Sequence, residues 1–130
     1  MLKINCNSID DLDKFIEANL NLFKEKQFVL LEGELGAGKT TFVKRLAKFI
    51  GISENITSPS FLYMKDYPGL IHIDLYNYKG SIEEFEDYFD DNIVAIEWPS
   101  KHNLDLDNFI KIKAYINEND QHCFEIEEVK

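Results

Sequence analysis

The chain has 130 residues, 45% of them apolar and 13% aromatic, which suits one folded domain over residues 1–130 and excludes a multi-domain architecture. Fourteen basic against twenty-four acidic side chains leave a formal charge of −10, which repels a phosphate backbone and argues against direct binding of tRNA or DNA by this chain alone. No run approaches the ~20 apolar residues of a membrane span, and the start of the chain lacks the apolar core of a signal peptide, so a cytoplasmic protein is expected.

Ser8 reads as a helix N-cap, with Asp10 and Asp11 in the first turn at the positive end of the helix dipole. Ile9, Leu12, Ile16, Leu20 and Phe23 then recur at helical spacing and predict a core-facing stripe. Phe28-Val29-Leu30-Leu31 is too short for a helix and apolar on both faces, as a central strand of a covered sheet is. A helix is predicted from about Thr41 to Ile50, with Gly51 as its stop. Phe61–Tyr67 and Leu70–Leu75 read as antiparallel strands joined at Pro68-Gly69, a pair suited to a type II turn. Ser81–Phe89 suits a short acidic helix, and Ile93–Glu97 is a second buried strand. Phe109–Ile116 and Cys123–Val129 alternate at period two and predict a C-terminal antiparallel hairpin with one solvated face. Cys6 and Cys123, in no metal-ligand spacing, read as buried reduced thiols.

The chemistry is concentrated between the first strand and its helix. Gly33-Glu34-Leu35-Gly36-Ala37-Gly38-Lys39-Thr40 fits G-x-x-x-x-G-K-[ST] without a mismatch, in the strand–loop–helix context that the pattern requires. Glycines 33, 36 and 38 let successive backbone N–H groups point at an anion, and the helix N-terminus adds its partial positive charge. The nucleotide-binding set is therefore Gly33 through Thr41, with Lys39 reaching the β- and γ-phosphates and the Thr40 hydroxyl offered to Mg²⁺. Such a site also needs a carboxylate at the end of a neighbouring buried strand. Asp74 and Glu97 both qualify, and pattern alone does not say which holds the metal and which orients water.

Asn55-Ile56-Thr57-Ser58-Pro59-Ser60 suits either a γ-phosphate sensor or an ordinary connection. His72 belongs to the core or to the layer behind the site, whereas His102 and His122 lie among polar residues and read as exposed. Trp98 either packs near the nucleotide or is a semi-buried aromatic without a direct role. Arg45, the one arginine in the sequence, lies on the helix after the loop and points away from the γ-phosphate. No arginine finger is available in cis, which predicts slow intrinsic hydrolysis completed by a partner. The lack of an N-K-x-D stretch favours ATP over GTP.

The loop, Ser58-Pro59-Ser60-Phe61, His72-Ile73-Asp74-Leu75-Tyr76 and Glu97-Trp98-Pro99, in this order, make the sequence resemble the TsaE (YjeE) family of P-loop ATPases over about residues 8–116. The resemblance implies a P-loop NTPase-like α/β domain with a mixed, mostly parallel sheet flanked by helices. It also implies ATP and Mg²⁺ binding, weak hydrolysis, and association with a TsaB–TsaD pair whose TsaD subunit transfers a threonylcarbamoyl group to adenosine 37 of tRNA. The tRNA would meet this chain only through that complex. By matching position, Lys39 contacts the phosphates, Thr40 and Glu97 ligate Mg²⁺, Asp74 lies beside the metal, and Trp98 is the motif tryptophan near the site. Lys39, Asp74 and Glu97 are thus the catalytic candidates. Ser60 and Asn77 replace the family's usual threonine and arginine, and the stretch between Asp74 and Glu97 is shorter than usual. The acidic cluster Glu83, Glu84, Glu86, Asp87, Asp90 and Asp91 reads as a solvated face or a surface for a basic partner.

Two other classes fit the residues. A small-molecule kinase would show turnover that depends on an acceptor, and a switch module would bind ATP and a partner without needing hydrolysis.

Overall fold

The apolar run that suggested a central strand forms β2 (Phe28–Glu32), with parallel partners on both sides: β5 (Ile93–Glu97) and β6 (Phe109–Ile116). A computed structural model describes residues 2–6, 8–57, 59, 62–102 and 104–129, without the side chains of residues 2, 3, 5 and 6. The remaining strands are β1 (Leu2–Cys6), β3 (Met64–Tyr67), β4 (Leu70–Asp74) and β7 (His122–Val129). The seven-stranded sheet runs β1-β7-β6-β2-β5-β4-β3, parallel from β6 to β4 and antiparallel at both margins. The mixed, mostly parallel α/β architecture is as expected, and so is the C-terminal hairpin.

Burial on both faces explains why β2 and β5 carry apolar residues without alternation. On one face α1 (Ile9–Lys26) and α2 (Lys39–Ile50) cover Val29, Leu31, Ala95, Ile110 and Ile112. Phe23, Phe42 and Phe124 join α1, α2 and β7 in a chain of ring contacts, with centroids 6.0 and 5.4 Å apart. On the other face Leu30, Ile71, Ile73, Val94 and Ile96 pack under Ile82, Phe85, Phe89 and Leu106. No helix among the described residues is long and apolar enough to cross a membrane.

Four details depart from the sequence reading. Residues 2–6 form a strand, pairing Ile4 with Phe124 and so covering the outer edge of the hairpin. The stripe on α1 begins at Leu12, because Ile9 is 45% exposed and the Ser8 side chain makes no capping bond. The acidic segment is a 3-10 helix over Ile82–Tyr88, closed by a capping box between Ser81 and Glu84. Helix α2 starts at Lys39, two residues early, and stops at Gly51 with φ 103°. Gly69, at φ 93°, takes the left-handed position of the turn between β3 and β4. The strand expected over Phe61–Tyr67 begins only at Met64, and residues 58, 60 and 61 lie outside the described residues.

Arg45 binds Asp13 through two bonds, Nε to Oδ1 at 2.8 Å and Nη2 to Oδ2 at 2.6 Å, tying α2 to α1. That pairing holds the Asp13 carboxyl below the ordinary value of 3.8. Its stabilisation is complete above that value and is lost as pH falls through the lower folded value. Asp13→Asn is expected to reduce stability at pH 7 by about 1 kcal/mol, with the gap from the parent closing below about pH 4, measured by urea titration across pH. A second test concerns Gly33, at φ 148°, where an added Cβ would lie 2.3 Å from the Ala114 carbonyl oxygen. Gly33→Ala should cost more than about 2 kcal/mol in the same titration, because backbone must move.

Candidate functional site

The loop between β2 and α2 is held open by its own backbone geometry. Gly36 and Gly38 take φ of 80° and 116°, where a Cβ is disfavoured, and the Ala37 N–H donates to the Glu34 carbonyl at 3.1 Å. Phe42 N–H donates to Gly38 and starts the helical ladder, so the free N–H groups of the first turn face the loop. Within this cradle Lys39 is 4% exposed. Its ammonium donates to the Gly33 carbonyl and, at 3.0 Å, to that of Glu34. Burial pushes the Lys39 pKa down, against the opposing pull of Glu97, Glu32, Asp74 and Glu34. The lysine sits 4.1 Å from the centre of the Trp98 ring, a cation–π distance.

Strands β4 and β5 bring both candidate acids to this loop. Asp74 and Glu97 are register partners on adjacent parallel strands, on the face that carries α2. Glu97, 3% exposed, lies 3.1 and 3.3 Å from the Thr40 hydroxyl through its two oxygens. Its Oε2 also lies 2.6 Å from His72 Nε2. Asp74 is half-buried, accepts the Tyr76 N–H at 3.0 Å, and has its pKa raised by burial and by Glu97 beside it. Trp98 turns the chain at φ 60°, donates its N–H to Leu31, and lays its ring against Tyr76 at 4.8 Å. Glu32 fastens the following turn by accepting both the N–H and the hydroxyl of Ser100.

These groups enclose a cleft of about 200 Å³, lined by Leu35, Gly36, Gly38, Lys39, Thr40, Thr41, Asp74, Glu97, Trp98 and His122. It lies at the C-terminal ends of the parallel strands, the usual ligand position in open α/β sheets. A larger groove of about 820 Å³ lies at the opposite ends of β4 and β5, lined by Gln27, Gly69, Asp91 and neighbours; the loop glycines and Lys39 are remote from it. Gly33, Glu34 and Ala37 stand behind the cleft: Gly33 and Glu34 offer their carbonyls to Lys39, and Ala37 offers its own to His122 Nδ1 at 3.0 Å. Arg45 is engaged with Asp13, away from the cleft. The acidic cluster from Glu83 to Asp91 is exposed.

Two histidines have roles that the sequence reading did not assign. His122, although exposed, belongs to the loop through Ala37, a contact created by the register of β7 rather than by local pattern. His102 is half-buried against the Tyr78 carbonyl at 2.7 Å instead of lying free in solvent. Cys123 is buried, as expected; the Cys6 side chain lies outside the description.

The profile of the family described as threonylcarbamoyl adenosine biosynthesis protein TsaE matches residues 6–124. Proteins named tRNA threonylcarbamoyladenosine biosynthesis protein TsaE are similar to this chain. That of Aquifex aeolicus is 36% identical over 100 residues, covering 72% of this chain and 74% of its own length. That of Treponema pallidum is 38% identical over 100 residues, covering 68% and 71%. That of Streptomyces coelicolor is 35% identical over 88 residues, covering 59% of this chain and 60% of its own length, so the match spans less than two thirds of that relative. The crystal structure of Bacillus subtilis YdiB superposes with a TM-score of 0.72 over 99% of this chain and 86% of that one, at 23% identity, and shares the fold. With a family match that spans nearly the whole sequence, this chain belongs to the TsaE family.

Proposed function

We propose that this chain is the ATP-binding and ATP-hydrolysing subunit required for threonylcarbamoyladenosine modification of tRNA at adenosine 37, one P-loop domain whose cycle drives or resets a TsaB–TsaD complex. The observation that carries the reading is the convergence of Lys39, Thr40, Asp74, Glu97 and Trp98 from three separate elements on one cleft at the glycine loop. Family membership supports the pathway, and the chemistry of the cleft supports the nucleotide.

In this reading the loop N–H groups and the N-terminus of α2 bind the phosphates. Lys39 leaves the carbonyls of Gly33 and Glu34 and pairs with phosphate oxygens, a stronger acceptor for a buried ammonium. The donor set suits Mg²⁺, since Thr40, Glu97 and Asp74 offer hard oxygen ligands on one side of the cleft. Among the described residues no group of three or more His, Cys, Asp or Glu could hold a metal alone, so phosphate and water oxygens would complete the coordination. The chemistry supplied by bound Mg²⁺ is neutralisation of charge on the phosphate oxygens. Asp74, half-buried beside Glu97, would orient the attacking water in this reading. Trp98 screens Lys39 from solvent and strengthens its electrostatics.

Arg45, the one arginine in the sequence, is held by Asp13 away from the cleft, so this reading has no arginine finger in cis. Removing such a group costs roughly 10³ to 10⁵ in rate, so the isolated chain turns over slowly and a partner supplies the charge.

Lys39→Ala should abolish ATP turnover and weaken nucleotide binding while circular dichroism stays parental. Glu97→Gln should keep nucleotide binding but lower turnover by roughly 10²-fold or more, the scale of losing an electrostatic contributor. Both are read by phosphate release and by titration with a fluorescent ADP. Undiminished turnover in either variant contradicts the assignment.

A further inference from the structure

His72 is the one buried histidine near the cleft, and the scheme above gives it no part. It sits on β4 two residues before Asp74, so both point to the α2 face of the sheet, and it has 0% exposure. Its Nε2 lies 2.6 Å from Glu97 Oε2, while Nδ1 is buried without a hydrogen-bond partner among the described residues. A proton on Nδ1 would be left unsatisfied away from water, which is costly; the ring proton therefore sits on Nε2 and is donated to the carboxylate. Glu97 is thus held from two directions. Thr40 reaches it from α2, and His72 reaches it from the neighbouring strand. Oε2 takes the histidine bond, leaving Oε1, with only the longer 3.3 Å contact to Thr40, as the oxygen with spare capacity.

We propose that His72 is a positioning residue that fixes the orientation of the Glu97 carboxylate and thereby sets the affinity of the cleft for a divalent cation. The inference rests on the Mg²⁺ reading of the cleft given above. Hydrogen-bond partners behind a metal-binding carboxylate orient it and raise its basicity, and their loss typically weakens metal affinity 10- to 100-fold. Ala95, the register partner of His72 and two residues before Glu97, has no polar side chain to offer in its place. An apolar residue at position 72 would leave the buried carboxylate one donor short.

The test uses the full chain with Mn²⁺ as the probe, its binding followed by electron paramagnetic resonance in the presence of ADP. ADP binding in EDTA is followed separately by fluorescence. His72→Leu is expected to weaken Mn²⁺ binding by about 10- to 100-fold and to leave metal-free ADP binding within about twofold. His72→Gln puts an amide N–H near the position of Nε2 and should restore most of the metal affinity. His72→Asn, whose amide falls closer to Nδ1, should not. Parental Mn²⁺ affinity in His72→Leu overturns the proposal and makes His72 a packing residue. If His72→Leu fails to fold, equal losses in the glutamine and asparagine variants overturn it in the same way. A parent protein that binds ADP but no Mn²⁺ instead refutes the metal reading and takes this proposal with it, a result distinct from metal binding that ignores position 72.

Discussion

The site depends on holding one carboxylate in a fixed orientation almost entirely out of water. Glu97 is 3% exposed and ends a strand that is buried along its whole length. Moving an unpaired carboxylate to such a place costs several kcal/mol, so its partners have to be fixed by the fold. The parallel register of β4 and β5 brings Asp74 and His72 beside it, and the glycine loop delivers Thr40 at the start of α2. Sheet, loop and helix therefore meet at one functional group, and a shift in any of them would leave it unsatisfied.

The second constraint is electrostatic. A chain with a net charge of −10 gathers Glu32, Glu34, Asp74 and Glu97 around a single buried lysine. Lys39 donates to loop carbonyls and lies over the face of Trp98. An excess of carboxylates disfavours a bare anion and favours one that arrives with a divalent cation. This connects the acidity of the chain, which seemed from composition only to exclude nucleic acid, to the kind of ligand proposed for the cleft.

Much of this was legible because the signals are local. The loop pattern, the apolar runs of β2 and β5, Pro68-Gly69, and the acids at the ends of β4 and β5 are each defined within a few residues. What escaped reading is set by pairing across the sheet. The strand at residues 2–6 exists because β7 offers it an edge, and His122 meets Ala37 only because β6 and β7 pair as they do. The ambiguity between Asp74 and Glu97 had the same origin: pattern puts an acid at each strand end, whereas depth and the Thr40 contact distinguish the buried Glu97 from the half-buried Asp74. Ser8 holds the N-cap position as read, but its side chain makes no capping bond, and Ile9 fell outside the buried stripe because this helix end takes its stability from the core rather than from a cap.

Arg45 is tied to Asp13 away from the cleft, and the proposed function therefore assigns the charge of an arginine finger to a partner. The proposal of an ATPase completed in trans is tested most directly by steady-state ATP hydrolysis of the purified chain alone and with the proposed TsaB–TsaD pair. The account predicts a low basal rate that the pair raises several-fold. A rate that the pair leaves unchanged would contradict it.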